Sequence, residues 1–159
     1  MLTRTAIKPL SRSRITAGMQ CTKRLYLECY AHDKKEPLDG ARVGLIEVGR
    51  LVGVAARSAF PGGVLVAEEL GHHDDAAHTT REAMENPNVR AVFEGAFVHD
   101  QVRLRVDVMA RTDDGRWDLV EVKSSKQVKD DYVTEVALQL HVVEGSGIPV
   151  RSACVLHVN

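Results

Sequence analysis

The stretch VRLRVDVMARTDDGRWDLVEVK, Val102–Lys123, decides the fold of this chain. Branched and aromatic residues alternate with polar ones on both sides of Asp113-Asp114-Gly115. Alternation of this kind around a short polar turn is typical of two antiparallel strands. We therefore predict strands over Val102–Arg111 and Trp117–Lys123, joined as a hairpin.

Side chains of a strand point to alternate faces, so the hairpin also predicts which residues share a face. Leu104, Val106 and Val108 are expected on one face, with Asp107 on the other. On the next strand, Glu121 projects away from the branched apolar face in the same way. Two carboxylates are thus expected on one side of neighbouring strands.

The flanking sequence extends the sheet and adds helices on either side of it. A further strand is predicted over Val89–Val98 and a last strand over Val150–Val158, while Ala41–Phe60 and Tyr132–Glu144 have helical spacing. The core-facing stripes predicted for the two helices are Val43, Ile46, Leu51, Val54 and Ala55, and Val133, Val136, Ala137, Leu140 and Val143. The order helix, three strands, helix, strand indicates an α/β fold with a mixed sheet flanked by helices.

Composition bounds the class of protein. At 159 residues, with 44% hydrophobic and 27% charged residues, the chain is expected to form one globular domain, 1–159. Its first 40 residues are a basic helical extension and 41–159 are the core. No apolar run reaches membrane-spanning length and no signal peptide is evident, so a cytoplasmic protein is expected. Cys29 and Cys154 are predicted to be buried free thiols.

Three acids fall on the three successive strands: Glu94, Asp107 and Glu121. Carboxylates on core-forming strands are costly unless they are paired or bound to a cation. Any one of them can be a strand-edge charge; Asp107 can pair with Arg103 or Arg105. Together they favour a Mg²⁺ or Mn²⁺ site that includes the Val122 carbonyl, because these ions prefer oxygen ligands. Lys123 would then orient or help deprotonate an attacking water.

Basic residues cluster in the segment before Glu28, which contains no acid, and again after Glu121. Such patches bind phosphates, although a solvated basic face is an equally common interpretation. The candidate contacts to a nucleic-acid backbone are Arg12, Arg14, Arg24, Lys126 and Lys129. The histidines His72, His73 and His78 match no specific zinc spacing and are interpreted as part of a loop leading into a helix.

Asp107 followed by Glu121-Val122-Lys123 resembles the signature of the PD-(D/E)XK nucleases, although Asp33-Lys34-Lys35 also fits half of it. Over nearly its whole length the chain is similar to the RecB-type branch, which includes CRISPR-associated exonucleases. The segment LSRSRITAGMQCTKRLYL, Glu94 in VFEGAF and Gln139 in LQLH carry this likeness. GRLVGVAARSAFPGGVLV also resembles a bacterial family whose longer members join such a module to a ribonuclease H-like domain.

The resemblance implies a restriction-endonuclease-like α-β-β-β-α-β core and a nuclease, exonuclease-like, that hydrolyses DNA with Mg²⁺ or Mn²⁺. Glu94, Asp107, Glu121, Lys123 and Gln139 would be its catalytic residues, with the first three and Val122 as metal ligands.

Two departures from the branch weaken these implications. Gly53 stands where the branch usually has a histidine, and Cys154 is the only C-terminal cysteine, so a complete four-cysteine iron–sulfur cluster is not expected. A catalytically inactive module of the same fold, which binds nucleic acid, a partner protein or another copy, is the alternative. A small interaction domain whose strand acids are edge charges is a third interpretation.

Overall fold

The computed structural model describes residues 8–37, 39–68 and 71–159. The helices are α1 (Arg12–Gln20), α2 (Thr22–Tyr30), α3 (Gly40–Ala56), α4 (His73–Glu85) and α5 (Asp130–Gly145). The strands are β1 (Leu10–Ser11), β2 (Gly63–Leu65), β3 (Ala91–His99), β4 (Val102–Arg111), β5 (Trp117–Lys123) and β6 (Val150–His157). Among these residues, no helix combines the length and apolar character that a membrane crossing requires.

The six strands form one mixed sheet in the order β2-β3-β4-β5-β6, with β1 pairing beside β4. The β3–β4 and β4–β5 pairs are antiparallel, while β2–β3, β5–β6 and β1–β4 are parallel. The predicted hairpin and the mixed α/β architecture are therefore confirmed. β1 was not predicted, since two residues carry no periodic signal.

Apolar side chains pack in two clusters. The larger one lies between the sheet and helices α4 and α5 and includes Val106, Met109 and Leu119. The smaller one includes Phe93, Val108 and Val120 and is partly covered by Phe60. Leu119 and Val120 belong to different clusters, as alternation on β5 predicts. The chain thus buries both sides of its central strands.

On β4 the predicted alternation is wrong at one point. Val106 packs in the larger cluster and Val108 in the smaller one, although a regular strand would place them together. The interruption lies at Asp107 and at Glu94, which is opposite it on β3 and has φ 56°. A left-handed residue leaves the extended conformation, so Glu94 interrupts the regular pairing of β3 with β4 at the point where the face of β4 changes.

The apolar stripe predicted for α3 is not buried. Leu45 is 72% exposed, Ile46 58% and Leu51 53%, and no residue of this helix is buried. Val43 and Val54 are exposed as well, and Ala55 lies in the same exposed stretch. Among the strands, α3 makes its main contact with β5, and this contact leaves most of the apolar stripe exposed.

Helix α5 buries a different stripe from the one predicted. Val136 and Val143 are buried as expected, but Val133 and Ala137 are exposed, and Gln139 is buried instead. Gln139 is hydrogen-bonded to Glu121 of β5. The buried face of α5 therefore includes this polar residue and differs from the predicted apolar stripe. Among the cysteines, Cys29 is buried as predicted, whereas Cys154 is exposed.

Candidate functional site

The three predicted acids lie in one row across the sheet. Glu94 is opposite Asp107 in the register of β3 with β4. Continuing the β4–β5 register one step beyond the Val108–Val120 pair places Glu121 opposite Asp107 on its other side. We call Glu94, Asp107 and Glu121 the acid row. Like charges directly opposite one another on neighbouring strands are destabilising, so the row needs compensation.

Asp107 is the member of the acid row with the least compensation. One of its oxygens accepts a hydrogen bond from the Val122 N–H at 2.7 Å. Burial, and then the charge of Glu121, raise the pKa of Asp107 to about 7 despite that bond and the attraction of Arg12. Burial is the larger cause, so the surroundings of Asp107 disfavour its charged form.

Glu121 is the most enclosed acid, with 1% of its side chain exposed. Arg12 Nη1 lies 2.6 Å from one oxygen and Lys123 Nζ 2.8 Å from the same oxygen. Gln139 Nε2 donates to the other oxygen at 2.6 Å. Burial alone would raise the pKa of Glu121, but Arg12 and the bonds from Lys123 and Gln139 outweigh it and lower that pKa. Glu121 is therefore a carboxylate.

Lys123 lies between two acids, since its ammonium also pairs with Glu135. It is 4.7 Å from the centre of the Tyr132 ring, within the range of a cation–π contact. Burial lowers the pKa of Lys123, yet the bonds to Glu121 and Glu135 outweigh burial and raise it. Lys123 is thus held as a cation. It is suited to orienting a water or a phosphate oxygen, and not to accepting a proton.

Glu94 is the outer member of the acid row. Its carboxylate is 38% exposed and lies 3.4 Å from Arg57, at the end of α3. Arg57 also lies over the Phe93 ring at 5.9 Å from its centre. Glu94 therefore has its own counter-charge, but remains open to solvent and to an approaching ligand.

A hard divalent cation suits the donors that meet here. Asp107 and Glu121 supply carboxylate oxygens, the ligand type that Mg²⁺ and Mn²⁺ favour. Val122 turns its N–H toward β4, and in an antiparallel ladder a residue presents its N–H and C=O to the same neighbour. Gln139 Oε1 is buried and has no hydrogen-bond partner among the described residues. The pKa of Asp107 is raised mainly by burial, so a bound divalent cation would favour its charged form, and the residues fit such an ion.

A basic groove adjoins the acid row on the side of α1 and β4. Its volume is about 620 Å³, and Arg12 connects it to Glu121. The charged side chains that line it are Arg12, Arg14, Lys35, Arg103 and Arg105, with Glu28 as the one acid. Lys35 pairs with Glu28 at 3.1 Å. A groove with this balance attracts phosphate groups.

Neither arginine suggested as a partner of Asp107 takes that role. Arg105 donates to the backbone carbonyls of Val66, Glu94 and Glu68. Arg103 pairs with Asp74 of α4 at 3.2 Å. The interpretation of Asp107 as a strand-edge ion pair is therefore wrong, because backbone carbonyls after β2 and on β3 engage Arg105, and α4 engages Arg103.

The basic residues predicted to contact phosphates separate into distinct places. Arg14 joins Arg12 in the groove and donates to the Pro9 carbonyl at 2.7 Å. Lys129 lies over the Tyr132 ring at 6.0 Å, close to the acid row. Lys126 is exposed on the loop after β5. Arg24 instead donates to Gln20 and lines a separate small cavity of about 170 Å³.

Two functional contacts were missed in the sequence: Arg12 on Glu121 and Glu135 on Lys123. The first spans 109 positions, and no local pattern can reveal it. The second could have been found, since Glu135 lies one helical turn before Gln139 on the same face of α5. A Cβ at Gly53 would meet no atom within 4 Å, so the position of the missing histidine is open space.

The histidines of the α4 region do not converge, as their spacing indicated. His72 pairs with Asp75, His78 with Glu82, and His73 bonds the Phe97 carbonyl. The helix begins at His73, earlier than expected, so these side chains lie around α4 rather than in a loop.

Comparison with protein-family models, with curated proteins and with solved structures gives no match to this chain. The function is therefore argued from the acid row and the groove beside it.

Proposed function

We propose that this chain is a divalent-metal-dependent nuclease that hydrolyses phosphodiester bonds of DNA at the acid row. The observation that carries the proposal is the pairing of Asp107 with Glu121 on adjacent strands, with Lys123 held as a cation on Glu121. Carboxylates from neighbouring strands and a lysine two residues beyond the second one form the signature that the sequence resembles. The mixed sheet with its α5–β6 crossover supports a restriction-endonuclease-like core.

Asp107, Glu121 and the Val122 carbonyl would hold Mg²⁺ or Mn²⁺, with Glu94 completing the set from the solvent side. The ion would supply Lewis-acid polarisation of the phosphate and a more acidic bound water. Gln139 positions Glu121 by its 2.6 Å bond. Lys123 would orient the attacking water or stabilise the charge that develops on phosphate oxygens. Arg12 and Arg14 line the path by which the backbone reaches these groups.

Nuclease assays with linear, circular and single-stranded DNA test the proposal, with Mn²⁺, Mg²⁺ or a chelator present. We expect metal-dependent cleavage that falls at least about 100-fold in Asp107→Ala and in Lys123→Ala, because positioned charge contributes on that scale. Circular DNA separates endonuclease from exonuclease action, and RNA of the same sequence tests the choice of DNA.

Matched controls come from the second sequence match to half of the signature. Asp33→Ala removes the acid of that match and Lys34→Ala changes its middle position; both side chains are exposed and neither belongs to the acid row, so cleavage should stay as in the native chain. Cleavage that survives Asp107→Ala, or that falls equally in the two controls, would contradict the assignment.

A catalytically inactive module that binds nucleic acid is a second candidate, and one contact favours it. Arg12 already lies 2.6 Å from Glu121 and neutralises the carboxylate that a metal would use. Calorimetry separates the two: a nuclease takes up Mn²⁺ at the acid row, and Asp107→Asn weakens that uptake. A binding module takes up none there, yet still binds DNA with strong salt dependence.

A further inference from the structure

A second group of metal-ligating side chains lies at the turn between β3 and β4, away from the acid row. His99 ends β3, Asp100 begins the turn, and His141 lies on α5. One ligand atom from each comes within 4.8 Å of the other two, and these three are the only such group of histidine, cysteine or acid among the described residues. We call them the imidazole cluster.

The distances suit one small ion. Asp100 Oδ2 lies 3.3 Å from His99 Nε2 and 3.8 Å from His141 Nε2. Two ligands of a tetrahedral ion with bonds of about 2.0–2.1 Å are about 3.3 Å apart, from the geometry of the tetrahedron. Two of the three separations are therefore near their bound values. The imidazoles lie edge to face with ring centres 5.3 Å apart, and one ring nitrogen of each lies within 4.8 Å of the other.

The backbone around Asp100 holds the cluster in this arrangement. Asp100 and Gln101 have φ of 47° and 62°, the left-handed conformation of a tight hairpin turn. β1 braces that turn, since the Leu10 N–H donates to the Gln101 carbonyl at 2.9 Å. On the other side, the Ser146 hydroxyl donates to the Val98 carbonyl at 3.1 Å. The backbone of the turn that carries Asp100 is thus held close to the end of α5.

The His99 ring packs against α5 at Gly145. A Cβ at this position would lie 2.2 Å from the ring, closer than any real contact. The absence of a side chain lets the imidazole rest against α5, one turn beyond His141. His99 is consequently 31% exposed while Asp100 and His141 are 72% and 61% exposed. The cluster therefore has one partly buried ligand, His99, and two ligands that are exposed to solvent.

We propose that His99, Asp100 and His141 form a binding site for a zinc-class divalent transition metal. Two imidazole nitrogens and one carboxylate oxygen are ligands of this class, and three protein ligands on an exposed surface leave a position for water or a further ligand. The ion joins the β3–β4 turn to α5. The site is independent of the nuclease proposal, because two of its ligands are imidazoles and none of its three residues belongs to the acid row.

Calorimetric titration of the chelator-treated chain with Zn²⁺ tests the site. We expect uptake of one ion at this site, with affinity at least about tenfold lower in His141→Ala and in Asp100→Asn. His141 and Asp100 are mostly exposed, so both variants should fold. The imidazole resonances of His99 and His141 should shift on addition of Zn²⁺ in the native chain.

His78→Ala is the matched control, since it removes an exposed histidine that pairs with an acid on a helix. Asp107→Asn is the second control and reports any Zn²⁺ at the acid row. Both should leave the affinity of the imidazole cluster unchanged. If His141→Ala binds Zn²⁺ as tightly as the native chain, or if the His99 and His141 resonances do not move, the three side chains are only a surface ion pair and the proposal fails.

Discussion

The side chains of the acid row and those of the imidazole cluster are held close together by opposite means. At the acid row, burial makes each charge costly, and Arg12, Lys123 and Gln139 converge on Glu121 to offset that cost. At the imidazole cluster, solvent screens the side chains, and a tight turn and a glycine fix their geometry instead. Buried ligands need electrostatic partners, whereas exposed ligands need only a rigid backbone.

The largest effect should come from removing Glu121. Glu121→Ala leaves Arg12 and Lys123 without their common buried partner, and breaking a buried pair in this way costs about 3–5 kcal/mol. Chemical denaturation of the metal-free chain measures the loss. Glu47→Ala breaks an exposed pair with Arg50 on α3 and serves as the control, with no measurable change expected. Equal losses of stability in the two variants would contradict the expectation that the buried charge contributes more than the exposed one.

The effect of Asp107→Asn on the free energy of unfolding should depend on pH. Burial and Glu121 raise the pKa of Asp107 from 3.8 to about 7, so the folded chain keeps a proton that the unfolded chain releases. Its contribution to stability is complete below about 3.8 and is lost as the pH rises through about 7.

Asparagine keeps an oxygen for the Val122 N–H but does not ionise. The variant should therefore gain stability relative to the native chain between these pH values, on the order of 4 kcal/mol by pH 8. Unfolding in chelator at pH 4, 6 and 8 measures the gain. A difference that is independent of pH would contradict the raised pKa of Asp107 in the folded chain.

Gly145→Ala tests whether a glycine in α5 fixes the geometry of the imidazole cluster. Alanine favours a helix over glycine by about 1 kcal/mol, but a Cβ at 2.2 Å from the His99 ring costs about 1–3 kcal/mol in overpacking. We expect a net loss of about 1 kcal/mol and a displaced His99 ring, seen in its resonances. Gly44→Ala on α3, where a Cβ meets nothing within 4 Å, should instead be neutral or stabilising.

His141→Ala should have the smallest effect without metal, within about 0.5 kcal/mol, as for most surface substitutions. Zn²⁺ at 100 times its Kd would stabilise the native chain by about 2.7 kcal/mol, and the variant should lose most of that gain. Thermal unfolding with and without Zn²⁺ measures both. A large loss in the metal-free variant would place His141 among the core residues, contrary to its exposure.

Local sequence patterns predicted the hairpin, the order of the main elements and the acids that face one another. They did so because alternation and turn residues act over a few positions, and the β4–β5 register follows from them. Sequence could not predict that α3 stays exposed, since amphipathic spacing does not say whether a partner is present. Nor could it place His99 beside His141, because that contact depends on how α5 crosses the sheet.

The Arg12–Glu121 pair joins positions 109 residues apart in the chain. Glu121 is buried on the sheet, whereas its partner Arg12 lies on the N-terminal segment that includes β1 and α1. During folding, the central strands and α5 can assemble from nearer segments, while this contact must wait for the closure of a long loop. The N-terminal segment, synthesised first, is thus expected to dock late, and its arrival completes the charge balance of the sheet.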